Sequence, residues 1–86
     1  MWNRSSDEHL ARLRVIGIDL RRRLGATAAA IAVTEDQVAA TLDHIACGRP
    51  HDAARLQARA AEARQFAAQE RDRAAVYNGP GADTTG

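Results

Sequence analysis

Proline occurs only at positions 50 and 80 of this 86-residue chain. That spacing constrains the fold more than any other feature, because proline removes a backbone donor and breaks a helix interior. Between Ser6 and Ala46 the only residues that oppose helix are Gly17, Gly25 and a few β-branched side chains. Alanine and arginine, the two most conspicuous residue types, are both strong helix formers. Every one of the 12 basic residues is Arg. One Trp, one Tyr and one Phe cannot fill a broad core, so helices built from this chain must pack closely through small side chains.

Start and stop signals divide the chain into two helices. Ser6 followed by Asp7 and Glu8 offers a hydroxyl cap and then acids at the positive end of the helix dipole, so the first helix is expected from about residue 6. Ala46-Cys47-Gly48-Arg49-Pro50 places Gly at an expected C′ position and Pro at the opening of the next helix, which ends the first at about 46. The second is predicted over about 51–77, with Asp52 in its first turn. Residues 1–78 thus form a single all-α domain, an antiparallel helical hairpin. The tail 79–86 lacks an apolar anchor and is expected to be disordered.

A stripe with spacings of three and four runs the length of the first helix: Leu10, Leu13, Gly17, Leu20, Leu24, Thr27, Ile31, Thr34, Val38, Thr41 and Ile45. This is a heptad a/d series whose phase does not slip. Thr34-Glu35-Asp36-Gln37 matches a capping box and could open a new helix. The alternative architecture is therefore long–short–long, three helices with a break near 32–34. The unbroken phase favours one long helix. The inward stripe of the second helix reads Ala53, Leu56, Ala60, Ala63, Ala67, Ala74 and Tyr77, with Phe66 beside it and Glu70 as an interruption.

The two lengths do not match. At 1.5 Å per residue the first helix spans roughly 60 Å and the second roughly 40 Å. Folded back, the second covers only about residues 20–46 of the first, leaving Leu10, Leu13, Val15, Ile16, Ile18 and Leu20 without an intramolecular partner. A second copy of the chain would cover them, and two hairpins packed antiparallel would make a four-helix bundle. The expectation is a homodimer with Leu10, Leu13, Ile16 and Leu20 at its protein interface.

Four chemical readings compete with a pure interaction role. His44, Cys47 and His51 crowd the turn, and imidazole and thiolate suit zinc. Structural zinc wants four ligands, and only Asp43 or Asp52 could be the fourth, so no metal or other cofactor is expected and the zinc-binding hairpin is a minor alternative. His44 has a simpler role near a helix C-terminus, where a cation is favoured. Ala28, Ile31, Ala32, Val33, Thr34, Val38 and Leu42 resemble the helix-turn-helix pattern of DNA-binding proteins. The segment in the place of the recognition helix, EDQVAATLDHIA, carries Glu35, Asp36 and Asp43 and no base, whereas major-groove helices present Arg, Lys, Asn or Gln. Under that DNA-binding alternative Arg12, Arg14, Arg21, Arg22 and Arg23 are the candidate phosphate contacts. With a net charge of +1 the chain as a whole is no electrostatic glove for nucleic acid. Finally, no nucleophile stands with a base and no glycine-rich phosphate loop is present, so a non-enzymatic protein is expected.

The segment TEDQVAATLDHIACGRPHDAARLQARAAEARQFAAQER resembles small uncharacterised Ala/Arg-rich helical proteins of high-GC actinobacteria, through Thr34-Glu35, Val38-Ala39, Leu42, Pro50, Leu56 and the Ala/Arg run to Glu70-Arg71. The resemblance implies a helical protein of a reducing cytoplasm and carries no site residue with it. Secreted helical hairpins with a Trp-x-Gly turn are a second comparison, from which the Cys-Gly-Arg-Pro turn and the lone Trp2 depart. One cysteine allows no internal disulfide. No secretory leader is read at the N-terminus and no run approaches a membrane span. The reading is a cytoplasmic adaptor that self-associates and binds a protein partner, away from the membrane.

Overall fold

The computed structural model describes residues 4–79. Helix α1 runs from Arg4 to Gly48, a 3-10 turn spans Pro50–Asp52, and helix α2 runs from Ala53 to Asn78. The chain is an all-α hairpin. Residues 32–34 are helical and α1 is unbroken through them, so the long–short–long alternative is not the fold. The capping box that Thr34 could have opened under that alternative does not form. The Thr34 hydroxyl instead donates to the carbonyl of Ala30, at 3.1 Å, a bond that a threonine makes inside a continuing helix. Helix α1 starts two residues before the expected Ser6 and ends two after Ala46. Gly79 has an extended backbone. The rest of the expected disordered tail lies outside the described residues.

The turn works differently from a glycine-capped stop. No described glycine has positive φ, so Gly48 is not a left-handed C′ residue but the last residue of α1. The reversal falls on Arg49, with φ −135° and ψ 78°. Its amide donates to the Ala46 carbonyl at 3.2 Å, and the Asp52 amide donates to the Arg49 carbonyl at 3.0 Å. Pro50 opens the 3-10 turn, where its missing N–H costs nothing.

Small residues decide the packing. The buried residues of α1 are Gly25, Ala28, Ala32, Ala39 and Ala46, with Leu42 half-buried. On α2 they are Leu56, Ala60, Ala63, Ala67, Glu70 and Ala74. The second stripe is as the sequence predicts, with Ala53 and Tyr77 half-buried at its ends. On α1 the heptad phase is right but the face is not. The seam lies one residue C-terminal to the a/d stripe throughout: Gly25 rather than Leu24, Ala28 rather than Thr27, Ala32 rather than Ile31, Ala39 rather than Val38, Ala46 rather than Ile45. One residue is about 100° of rotation. Alanine facing alanine lets the two backbones approach closely. Turning the Leu/Ile stripe inward would hold them apart and forfeit those contacts.

The hairpin is a rod. Its extents are 73 × 22 × 14 Å and its radius of gyration is 20.5 Å, against about 12 Å for a compact chain of this length. Asn78 reaches Gly25, where a Cβ would come within 2.5 Å of its side chain. Tyr77 and Asn78 close a hollow with Ile18, Arg21 and Arg22. Beyond that level α1 continues alone, as the length mismatch requires.

Candidate functional site: an uncovered apolar edge

The hairpin has two unlike edges. Along one, Arg64 pairs with Asp43 and Arg71 with Asp36 across the helices. Each residue stands one heptad from its counterpart on the same helix, so the two bridges repeat a single antiparallel register. These are exposed pairs, worth under about 1 kcal/mol each, and they aid register more than stability.

The other edge is apolar. The a/d stripe of α1 emerges here because the seam took the neighbouring small residues. Leu24 is 48%, Val38 42%, Ile31 37% and Ile45 37% exposed. A groove beside the seam is lined by Val38, Leu42, Ala63 and Phe66, with Glu35, Arg59 and Glu62 at its rim. Thr34, Gln37 and Thr41 continue it. The Thr41 hydroxyl donates to the Gln37 carbonyl at 3.0 Å, as that of Thr34 does to Ala30. Both threonines thus spend their donors within their own helix, and covering this edge would strand neither hydroxyl.

The stub carries the same stripe onward. Leu10, Leu13, Ile16 and Leu20 are all exposed, as are Val15 and Ile18. Val15, Ile16, Ile18 and Leu20 line a furrow with Asp19, Arg22 and Arg23. The sequence located the stub but stopped the unpartnered surface at residue 20. The structure extends it to Ile45. The missed signal was the small residue one place beyond Leu24, Thr27, Ile31, Val38 and Ile45, which offers α2 a closer fit.

The remaining candidates fall as follows. His44, Cys47 and His51 are all exposed around the turn. Among the described residues no three His, Cys, Asp or Glu side chains sit close enough to hold a metal ion. The helix-turn-helix pattern has no turn, since residues 28–42 belong to one unbroken run of α1. Arg12, Arg14, Arg21, Arg22 and Arg23 are exposed and fan around the helix rather than forming one patch. Of the two local pairs the spacing offers, Asp19–Arg23 closes at 2.9 Å, whereas Glu8–Arg12 does not appear among the ion pairs. No helix of the described residues is long and apolar enough to cross a membrane. Compared with protein-family models, with curated proteins and with solved structures, the chain matches none.

Proposed function

We propose that the chain is a non-enzymatic interaction module that self-associates through α1 and engages a protein partner by its apolar helix surface. One observation carries this reading: the monomer buries alanines and leaves its large aliphatic side chains outside. Among the described residues the buried apolar side chains apart from Leu56 are all Ala, and no large side chain is fully buried. A continuous apolar strip of this kind marks an interaction surface. Two hairpins joined along it make a four-helix bundle, with Leu10, Leu13, Ile16 and Leu20 at the contact. A partner helix would use the same surface in helix-in-groove fashion. The single exposed thiol of Cys47 suits a reducing cytoplasm.

Sedimentation equilibrium tests the reading. The wild-type chain is expected to be dimeric at micromolar concentration, and Leu13→Asp to shift it to monomer while the far-ultraviolet helix signal persists. A wild-type chain that stays monomeric at micromolar concentration would sink it. Association held by the apolar stripe should survive high salt, weakened only modestly as its flanking charges are screened. Binding to nucleic acid that falls steeply as salt rises would instead favour phosphate contacts by the α1 arginines.

A further inference from the structure

We infer that the second copy lies antiparallel along the α1 stripe, with the two-fold axis passing near Thr27. This rests on the self-association proposed above and adds the register of the pairing and the grounds for its orientation.

Charge is the first argument. Between residues 10 and 34, α1 carries Arg12, Arg14 and Arg21–Arg23 against Asp19 alone. From Glu35 to Gly48 it carries Glu35, Asp36 and Asp43 and no arginine. Parallel pairing sets basic on basic and acidic on acidic. Antiparallel pairing sets the basic half of each copy on the acidic half of the other. Arg21 and Glu35 share a heptad position beside the stripe and are centred on residue 28, one place from the axis, so Arg21 of one copy comes within a residue or two of level with Glu35 of the other. Asp36 and Asp43 are engaged by α2, whereas Glu35 has no ion pair among the described residues, leaving it open to this one.

Size is the second. Counting outward from Thr27, Leu20 comes opposite Thr34, Gly17 opposite Val38, and Leu13 opposite Thr41. These three of the five pairs off the axis set a large side chain against a small one, the interdigitation that close packing needs, while Leu24–Ile31 and Leu10–Ile45 set large on large. Parallel pairing sets like on like and leaves a hole at Gly17, around which no side chain of its own chain lies within 4 Å.

Length is the third. The stripe runs about 50 Å along the helix. At about 10 Å wide it covers roughly 1,000 Å² counted over both copies, near the lower bound for a specific interface. The antiparallel arrangement also adds to that area. The turn end of each copy falls beside the stub of the other, so α2 of one stands level with the stretch of α1 that has no α2 of its own. The length mismatch within one chain then becomes a match between two.

Cysteine cross-linking decides the matter. In a Cys47→Ser background, Thr27→Cys and Thr41→Cys are each oxidised under mild conditions and run on non-reducing gels, with sedimentation alongside. Antiparallel pairing predicts that Thr27→Cys converts to covalent dimer and Thr41→Cys does not, since its two thiols would stand about 40 Å apart. Cross-linking of both variants to similar extents means a parallel dimer. That overturns the orientation while self-association stands. A dimer by sedimentation in which neither variant cross-links places the interface off the stripe and overturns the inference as well. Monomer by sedimentation in both variants and in the wild type overturns self-association itself.

Discussion

Among the described residues Glu70 is the one charged side chain buried in the seam, at 5% exposure. It occupies a heptad position that alanine fills on either side, at Ala67 and Ala74. Its only ion-pair partner is Arg73, one turn on, with 3.3 Å from Nη1 to Oε1. Withdrawing a carboxylate from water costs several kcal/mol, and one long bond to a largely exposed guanidinium offsets little of that. Glu70→Met keeps the length and removes the charge, so it is expected to stabilise the hairpin by about 1 kcal/mol, raising Tm by roughly 4–8 °C. Thermal unfolding followed by circular dichroism checks this. A fall in Tm would mean that the carboxylate holds something the hairpin needs.

At the scale of the elements, the contrast between the two helices shows what sequence can and cannot give. The bounds of both helices, the Pro50 opening and the α2 stripe were legible, because proline, caps and heptad spacing are local signals. The heptad phase of α1 was legible too. Its face was not, since hydrophobic periodicity weighs each side chain by its apolar size, whereas the choice between two adjacent stripes depends on what the opposing helix presents. Helix α2 presents methyl groups, and methyl groups fit best against Ala28, Ala32, Ala39 and Ala46. The apolar stub was visible from helix lengths alone. Its continuation to Ile45 was hidden behind the assumption that Leu24, Ile31 and Val38 turn inward. The Gly48 stop was placed correctly in sequence but not in mechanism, as Arg49 makes the reversal. A seam of this kind has no slack. Ala60→Leu, at a position with 0% exposure opposite Ala39, should force the helices apart and destabilise by about 1–3 kcal/mol. Urea titration measures it, and a neutral result would mean that the helices are not in close contact there.

For the whole molecule, stability and association become one question. A chain this short has little core to begin with, and this one spends its seam on alanine. A dimer that covers the stripe should therefore hold much of the free energy that keeps the hairpin folded. Tm is expected to rise as protein concentration increases from about 1 to 100 μM, as mass action requires when folding and association are linked. A Tm that stays constant over that range would show that the hairpin stands without its partner. For Leu13→Asp, which removes the association, Tm should be lower and independent of concentration.

The alanine seam also sets the shape of the stability curve. The heat capacity of unfolding grows with the apolar surface released, at about 0.45 cal/K/mol per Å². A hairpin closed by methyl groups releases little, so alone it should fall below the usual range of about 12–15 cal/mol/K per residue, with a shallow, broad curve against temperature. Covering the leucine and isoleucine edge restores the missing apolar area and steepens the curvature. Calorimetry of the wild-type chain and of Leu13→Asp would then differ in curvature as well as in midpoint.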